Sequence, residues 1–86
     1  MYYKIVAIKD LWMHNKKDEA SVNRLGRIID MSESVIEEGE RGLLVCVYPG
    51  AAKSIRTSNV MNVIERGYNL IIYTEHSVYY LEPTMI

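Results

Sequence analysis

The stretch Ser54–Glu82, SIRTSNVMNVIERGYNLIIYTEHSVYYLE, decides the fold class. Within it, Leu70–Thr74 and Val78–Leu81 are runs of strong β-formers joined by Glu75, His76 and Ser77. Such runs fit a pleated surface, and a three-residue connection between them closes a hairpin. Both strands are almost continuously apolar, which places the hairpin mostly in the core. Just upstream, Ser58–Gly67 reads in two ways. As a helix, Ser58 is the N-cap, Val60, Val63 and Ile64 share a face, and Gly67 ends it. As a strand, Val60, Asn62 and Ile64 lie on one face, with Met61 and Val63 on the other. The preferred reading is a tight turn at Ser58–Val60 and then a strand, with residues 59–66 left open to a short helix.

Upstream, Lys53–Thr57 is a further short strand, and Leu43–Tyr48 (LLVCVY) is a buried one ended by the turn dipeptide Pro49-Gly50. Because that strand needs a neighbour, Ser32–Arg41 reads better as its hairpin partner than as a helical turn capped by Ser34 and Glu37, with Gly39–Gly42 as the turn. Asn23–Met31 alternates around Gly26, the mark of a bend that closes small barrels. Tyr2–Ile8 is a strand with Tyr3, Ile5 and Ala7 on one face, and Lys9–Ser21 is a long polar connection. Pro83 is expected to stop the last strand. The fold class is therefore mainly β: one domain, residues 1–86, forming a small antiparallel β-barrel or curled sheet of five to six short strands.

Eighty-six residues bury only about 60–65% of the unfolded surface, so stability is marginal and a homo-oligomer is expected. Ten Lys and Arg balance eleven Asp and Glu, leaving no basic excess to drive counterion release, so duplex nucleic acid is not an expected partner. The single cysteine, Cys46, excludes an internal disulfide and fits a reducing compartment. The first residues, MYYKIVAIKDLW, lack the pattern of a signal peptide, and no apolar run approaches a membrane span. The expected location is cytoplasmic. Seven Tyr and no Phe suit a recognition surface.

Catalysis needs converging groups, and the inventory is thin. His14 and His76 stand at no metal-ligand spacing from each other or from Cys46, which sits mid-strand where a thiol is inert. No Gly-rich phosphate loop or nucleophile elbow is present. Neither an enzyme nor a bound metal or cofactor is expected. For an anionic ligand the candidates are Lys53, Arg56, Thr57, Ser58 and Asn59, read as a polar turn, with His76 at the hairpin tip and Tyr79 as a stacking face. For a protein partner they are Trp12 and His14 in the long connection and the acidic run Asp30, Glu33, Glu37, Glu38 and Glu40. That run is able to mimic phosphates against a basic cleft.

Arg56, Thr57, Ser58 and Val60, then Thr74, His76, Ser77, Val78, Tyr79 and Leu81, look like an RTSxV turn and a TxNSxYxL hairpin. Over about a third of the chain this resembles small uncharacterised β-proteins of phages and mobile elements of low-GC bacteria, with His76 where those carry Asn. The order of elements is also similar to SH3-like small barrels. The resemblance implies a small accessory or counter-defence protein that acts by binding. The leading expectation is a β-rich protein that inhibits or modulates a protein partner. The alternatives are a sponge or sensor for a small nucleotide or phosphorylated ligand, and single-stranded nucleic acid binding on a Tyr-bearing sheet.

Overall fold

The computed structural model describes residues 1–50 and 52–85. The chain runs β1 (Tyr2–Lys9), α1 (Glu19–Arg24), β2 (Ile28–Asp30), β3 (Arg41–Leu44), β4 (Cys46–Tyr48), β5 (Ile55–Arg66), β6 (Asn69–Thr74) and β7 (Val78–Thr84). These strands form one antiparallel sheet in the order β3-β5-β6-β7-β1-β2-β4. Only Val45 separates β3 from β4, yet the two stand at opposite ends of that order, so the sheet curls into a nearly closed barrel. The Asp30 N–H, donating to the Val45 carbonyl at 2.9 Å, carries the β2–β4 ladder on to the residue that links β3 and β4. The expected strand Leu43–Tyr48 is thus two strands, which is one reason the sheet has seven.

The hairpin β6–β7 forms as expected, in the register Leu70↔Leu81 to Tyr73↔Val78. Upstream of it, Ser58–Val60 is no turn and residues 59–66 are no helix: β5 is one strand of twelve residues. Its first half pairs with β3 and its second half with β6, with a register shift between Val60 and Asn62 where it passes from one to the other. A helix there would forfeit both ladders, whereas the bulge bends the strand and keeps them. The helix lies instead in the expected loop. Asp18 caps it by accepting from Ser21 N and Oγ, with Glu19 in its first turn and Arg24 in its last. It buries only Ser21, so it has no apolar stripe to betray it. Gly26, at φ +82°, takes the left-handed position after the Leu25 C-cap rather than bending a long strand; only Ile28–Asp30 is strand there.

Two smaller expectations also change. The register of β1 slips between Ile5 and Ala7, so Ile8 joins Tyr3 and Ile5 in the core in place of Ala7. Pro83 does not stop β7 but pairs with Tyr3; it lies beyond the last β6 pair, where its missing N–H faces no neighbouring strand. In the Ser32–Arg41 segment, Val35 and Leu43 exchange backbone hydrogen bonds at 2.9 Å as a single bridge, and residues 37–40 make the turn.

The core draws Ile5, Ile29, Leu44, Val60, Ile72 and Leu81, all fully buried, from six different strands. Burying a side chain of that size stabilises the fold by about 1.5–3 kcal/mol. Where β3 crosses β5, Gly42 donates its N–H to Thr57 Oγ1 at 2.9 Å, and that hydroxyl donates to the Ser58 carbonyl at 2.7 Å. A Cβ on Gly42 would stand 2.8 Å from Thr57 Oγ1, so the crossing depends on a residue without one.

Candidate protein-binding rim

After β1 the chain turns sharply and returns, with Asn15 bridging Lys9 and the Lys16 N–H donating to the Ile8 carbonyl at 3.0 Å. Asp10 organises the tip of this excursion. Its Oδ1 accepts from Trp12 N at 2.9 Å and from His14 N at 3.0 Å, its own N–H donates to the His14 carbonyl at 2.8 Å, and Met13 N donates to its carbonyl at 3.0 Å. His14 Nδ1 lies 3.8 Å from Asp10 Oδ2. These bonds hold Met13 at φ +68°, a left-handed conformation that costs a residue with a Cβ about 1–2 kcal/mol. The backbone hydrogen bond from His14, reinforced by that from Trp12, holds the Asp10 carboxyl below the ordinary aspartate range.

The loop presents an apolar knob. Trp12 is 82% exposed, and Leu11 and Met13 beside it are also exposed. The Trp12 ring therefore stands outside the core. Three adjacent apolar side chains on a loop fixed by its own hydrogen bonds differ from the scattered apolar residues of any surface. Met13 reaches Tyr80 of β7, whose hydroxyl meets the sulfur at 4.0 Å, and Lys9 Nζ sits 5.0 Å from the centre of the Tyr80 ring. Lys16 Nζ donates to Ser77 Oγ at 2.9 Å, which ties the loop to the β6–β7 tip carrying exposed His76.

The rim continues across the sheet. The Glu75 N–H donates to the Asn59 carbonyl at 3.0 Å, and Asn59 N donates back to Glu75 Oε1 at 3.1 Å. Val60 in turn holds the acidic turn, its N–H donating to the Glu40 carbonyl and its carbonyl accepting from Gly39 N, both at 2.8 Å. Trp12, His14, His76, Glu37, Glu38 and Glu40 thereby share one end of the barrel, and Glu75 joins the carboxylates. From β1 to β5 the rim crosses three strand spacings, roughly 15 Å. Asp30 and Glu33 lie at the other end of β1, where Asp30 pairs with Tyr2, so the acidic run is split between the two ends. The Ser32 hydroxyl, 2.6 Å from Asp30 Oδ1, lowers the Asp30 pKa and gives that carboxylate a local partner. In the sequence Glu75 stands at the hairpin tip apart from the acidic run; only strand pairing brings it to the others.

The expected anion-binding set does not assemble. Lys53–Asn59 is not a turn; Ile55 onwards is strand, so its side chains alternate between faces. Lys53 and Arg56 are exposed, whereas Thr57 is buried with its hydroxyl committed to Gly42 and Ser58. Ser58 and Asn59 are half-buried, and Asn59 is tied to Glu75. Tyr79 offers no stacking face: it is 2% exposed, part of the core, and accepts from Arg24 Nη1 at 2.8 Å. Burial pushes its phenol pKa up, against the opposing pull of Arg24. Cys46 is half-buried, its thiol 3.3 Å from the Tyr48 carbonyl. Among the described residues no helix is long and apolar enough to cross a membrane. Compared with protein-family models, with curated proteins and with solved structures, the chain finds no match.

Proposed function

We propose that this chain is a small non-enzymatic binding protein, of the phage-type accessory or counter-defence kind, that inhibits or modulates a protein partner through the rim carrying Trp12. The observation that carries this reading is the exposure of Trp12 on a loop held by four hydrogen bonds around Asp10. An exposed Trp on a loop whose backbone is already held fills a partner's pocket with little loop-ordering cost, and Trp is enriched among interface hot spots. The carboxylates of Glu37, Glu38, Glu40 and Glu75 on the same rim favour a partner whose apolar pocket borders a basic surface. The resemblance of Arg56–Val60 and Thr74–Leu81 to small phage β-proteins supports the accessory role.

The test is affinity capture from bacterial lysate with three forms of the chain: native, Trp12→Ala, and Met85→Ala as an exposed substitution away from the rim. One protein retained by the native and Met85→Ala forms and lost with Trp12→Ala is the expected result. Specific capture that survives Trp12→Ala, or no specific capture at all, counts against the reading.

A further inference from the structure

Most edges of the barrel are blunted. β4 has three residues and runs into Pro49, and the outer side of β3 is occupied by Val35. The second half of β5 differs. Met61–Arg66 pairs with β6 on one side, and among the described residues no strand or loop hydrogen-bonds to its other side. This edge is six residues long with no Pro and no Lys, and its one bulge lies at its start. Proteins guard such edges because unpaired N–H and C=O groups template another strand.

The hairpin Arg66-Gly67-Tyr68-Asn69 determines which groups face outward. Gly67, at φ +63°, is the first central residue of a two-residue turn, and Arg66 and Asn69 flank it as a ladder pair. Alternation then turns the backbone groups of Asn62, Ile64 and Arg66 to β6 and those of Met61, Val63 and Glu65 outward. We propose that this edge pairs antiparallel with the same edge of a second copy, about a two-fold axis at Ile64.

The chemistry selects that register. It hydrogen-bonds Val63 to the partner copy's Glu65 and sets Ile64 against Ile64 at a close, non-hydrogen-bonded position. It also sets Asn62 opposite Arg66 twice, each amide oxygen accepting from a guanidinium. Centring on Glu65 would oppose two carboxylates, and centring on Val63 would run the pairing into Val60, whose N–H and C=O are already used by Glu40 and Gly39. The chosen register sets Met61, 60% exposed, opposite the partner copy's Gly67 and so beside its Tyr68, 87% exposed, at both ends. Two exposed apolar side chains then come together at each end.

Sedimentation equilibrium of the full chain tests the proposal, and a dimer is the expected result. Glu65→Pro removes an outward N–H and spares the β6 ladder, and it should weaken dimerisation by at least about tenfold while the melting transition is kept. Ile64→Cys in a Cys46→Ser background should form a disulfide-linked dimer on oxidation, since close non-hydrogen-bonded pairs stand at about 4.5 Å between Cα atoms. A chain that stays monomeric at about 100 μM, well above typical dissociation constants of stable dimers, overturns the proposal. A dimer that neither crosslinks through Ile64→Cys nor responds to Glu65→Pro overturns it equally.

Discussion

Asp10 Oδ1 accepts the Trp12 backbone N–H at 2.9 Å, so the carboxylate that shapes the loop lies two residues before the side chain that the loop displays. Asp10→Ala should leave the barrel's melting transition nearly unchanged, because Asp10 supports only a local excursion. It should release Trp12, read as a drop in fluorescence anisotropy and a fall in partner capture. Asp10→Asn keeps one acceptor oxygen and should retain more of both.

Acid should act on the same carboxylate. The pKa values of Asp10, Asp18 and Asp30 are all lowered, chiefly by hydrogen bonds from the His14 backbone, the Ser21 hydroxyl and the Ser32 hydroxyl respectively. Folded-state values below the ordinary aspartate value of about 3.9 mean that their stabilisation is complete above that pH and is lost as pH falls through the lowered values. Melting temperature should therefore be insensitive to these groups between about pH 5 and 7 and decline below about pH 4. A melting series on the native chain from pH 7 down to pH 3 checks it.

Gly42 and Thr57 make the crossing of β3 and β5. Gly42→Ala forces a methyl to 2.8 Å from Thr57 Oγ1 and 3.2 Å from Val60 Cγ2. Overpacking of this kind costs about 1–3 kcal/mol, which urea denaturation would read as a lower midpoint. Thr57→Val leaves the buried Gly42 N–H without its acceptor, at a cost of about 1–3 kcal/mol. Combined, the two substitutions should cost less than their sum, because they disrupt one contact.

Arg24 Nη1 on Tyr79 Oη ties α1 to the barrel. Tyr79→Phe should lower global stability by about 1 kcal/mol. Hydrogen exchange should show the larger effect in Glu19–Arg24, a six-residue helix too short to persist alone, with β1 and β7 staying protected.

Charge on the rim should govern the rate of encounter. Glu38→Lys with Glu75→Lys should slow association with a basic-bordered partner by about tenfold at low salt and flatten its salt dependence, with dissociation less affected. Surface plasmon resonance at two ionic strengths measures both rates.

Local pattern settled much of the architecture. The β-branched and aromatic runs at Tyr2–Ile8, Leu70–Thr74 and Val78–Leu81 made β1, β6 and β7 legible, because alternation and propensity are properties of neighbours in the chain. The composition and the turn residues made a curled, barrel-like antiparallel sheet the natural outcome. Trp12 and the acidic turn stood out as singular residues, although nothing local said that they share a rim. What the pattern left open was decided by pairing across the fold. Ser58–Gly67 supports a helix or a strand equally, and β5 is a strand because β3 and β6 supply ladders on its two halves. Leu43–Tyr48 reads as one strand and is split because its ends belong to opposite edges of a closing sheet. Thr57 and Tyr79 read as ligand contacts but are buried, their hydroxyls spent on Gly42, Ser58 and Arg24. Residues far apart in sequence satisfy one another's hydrogen bonds only once the barrel has formed, which is why that part belongs to the tertiary structure alone.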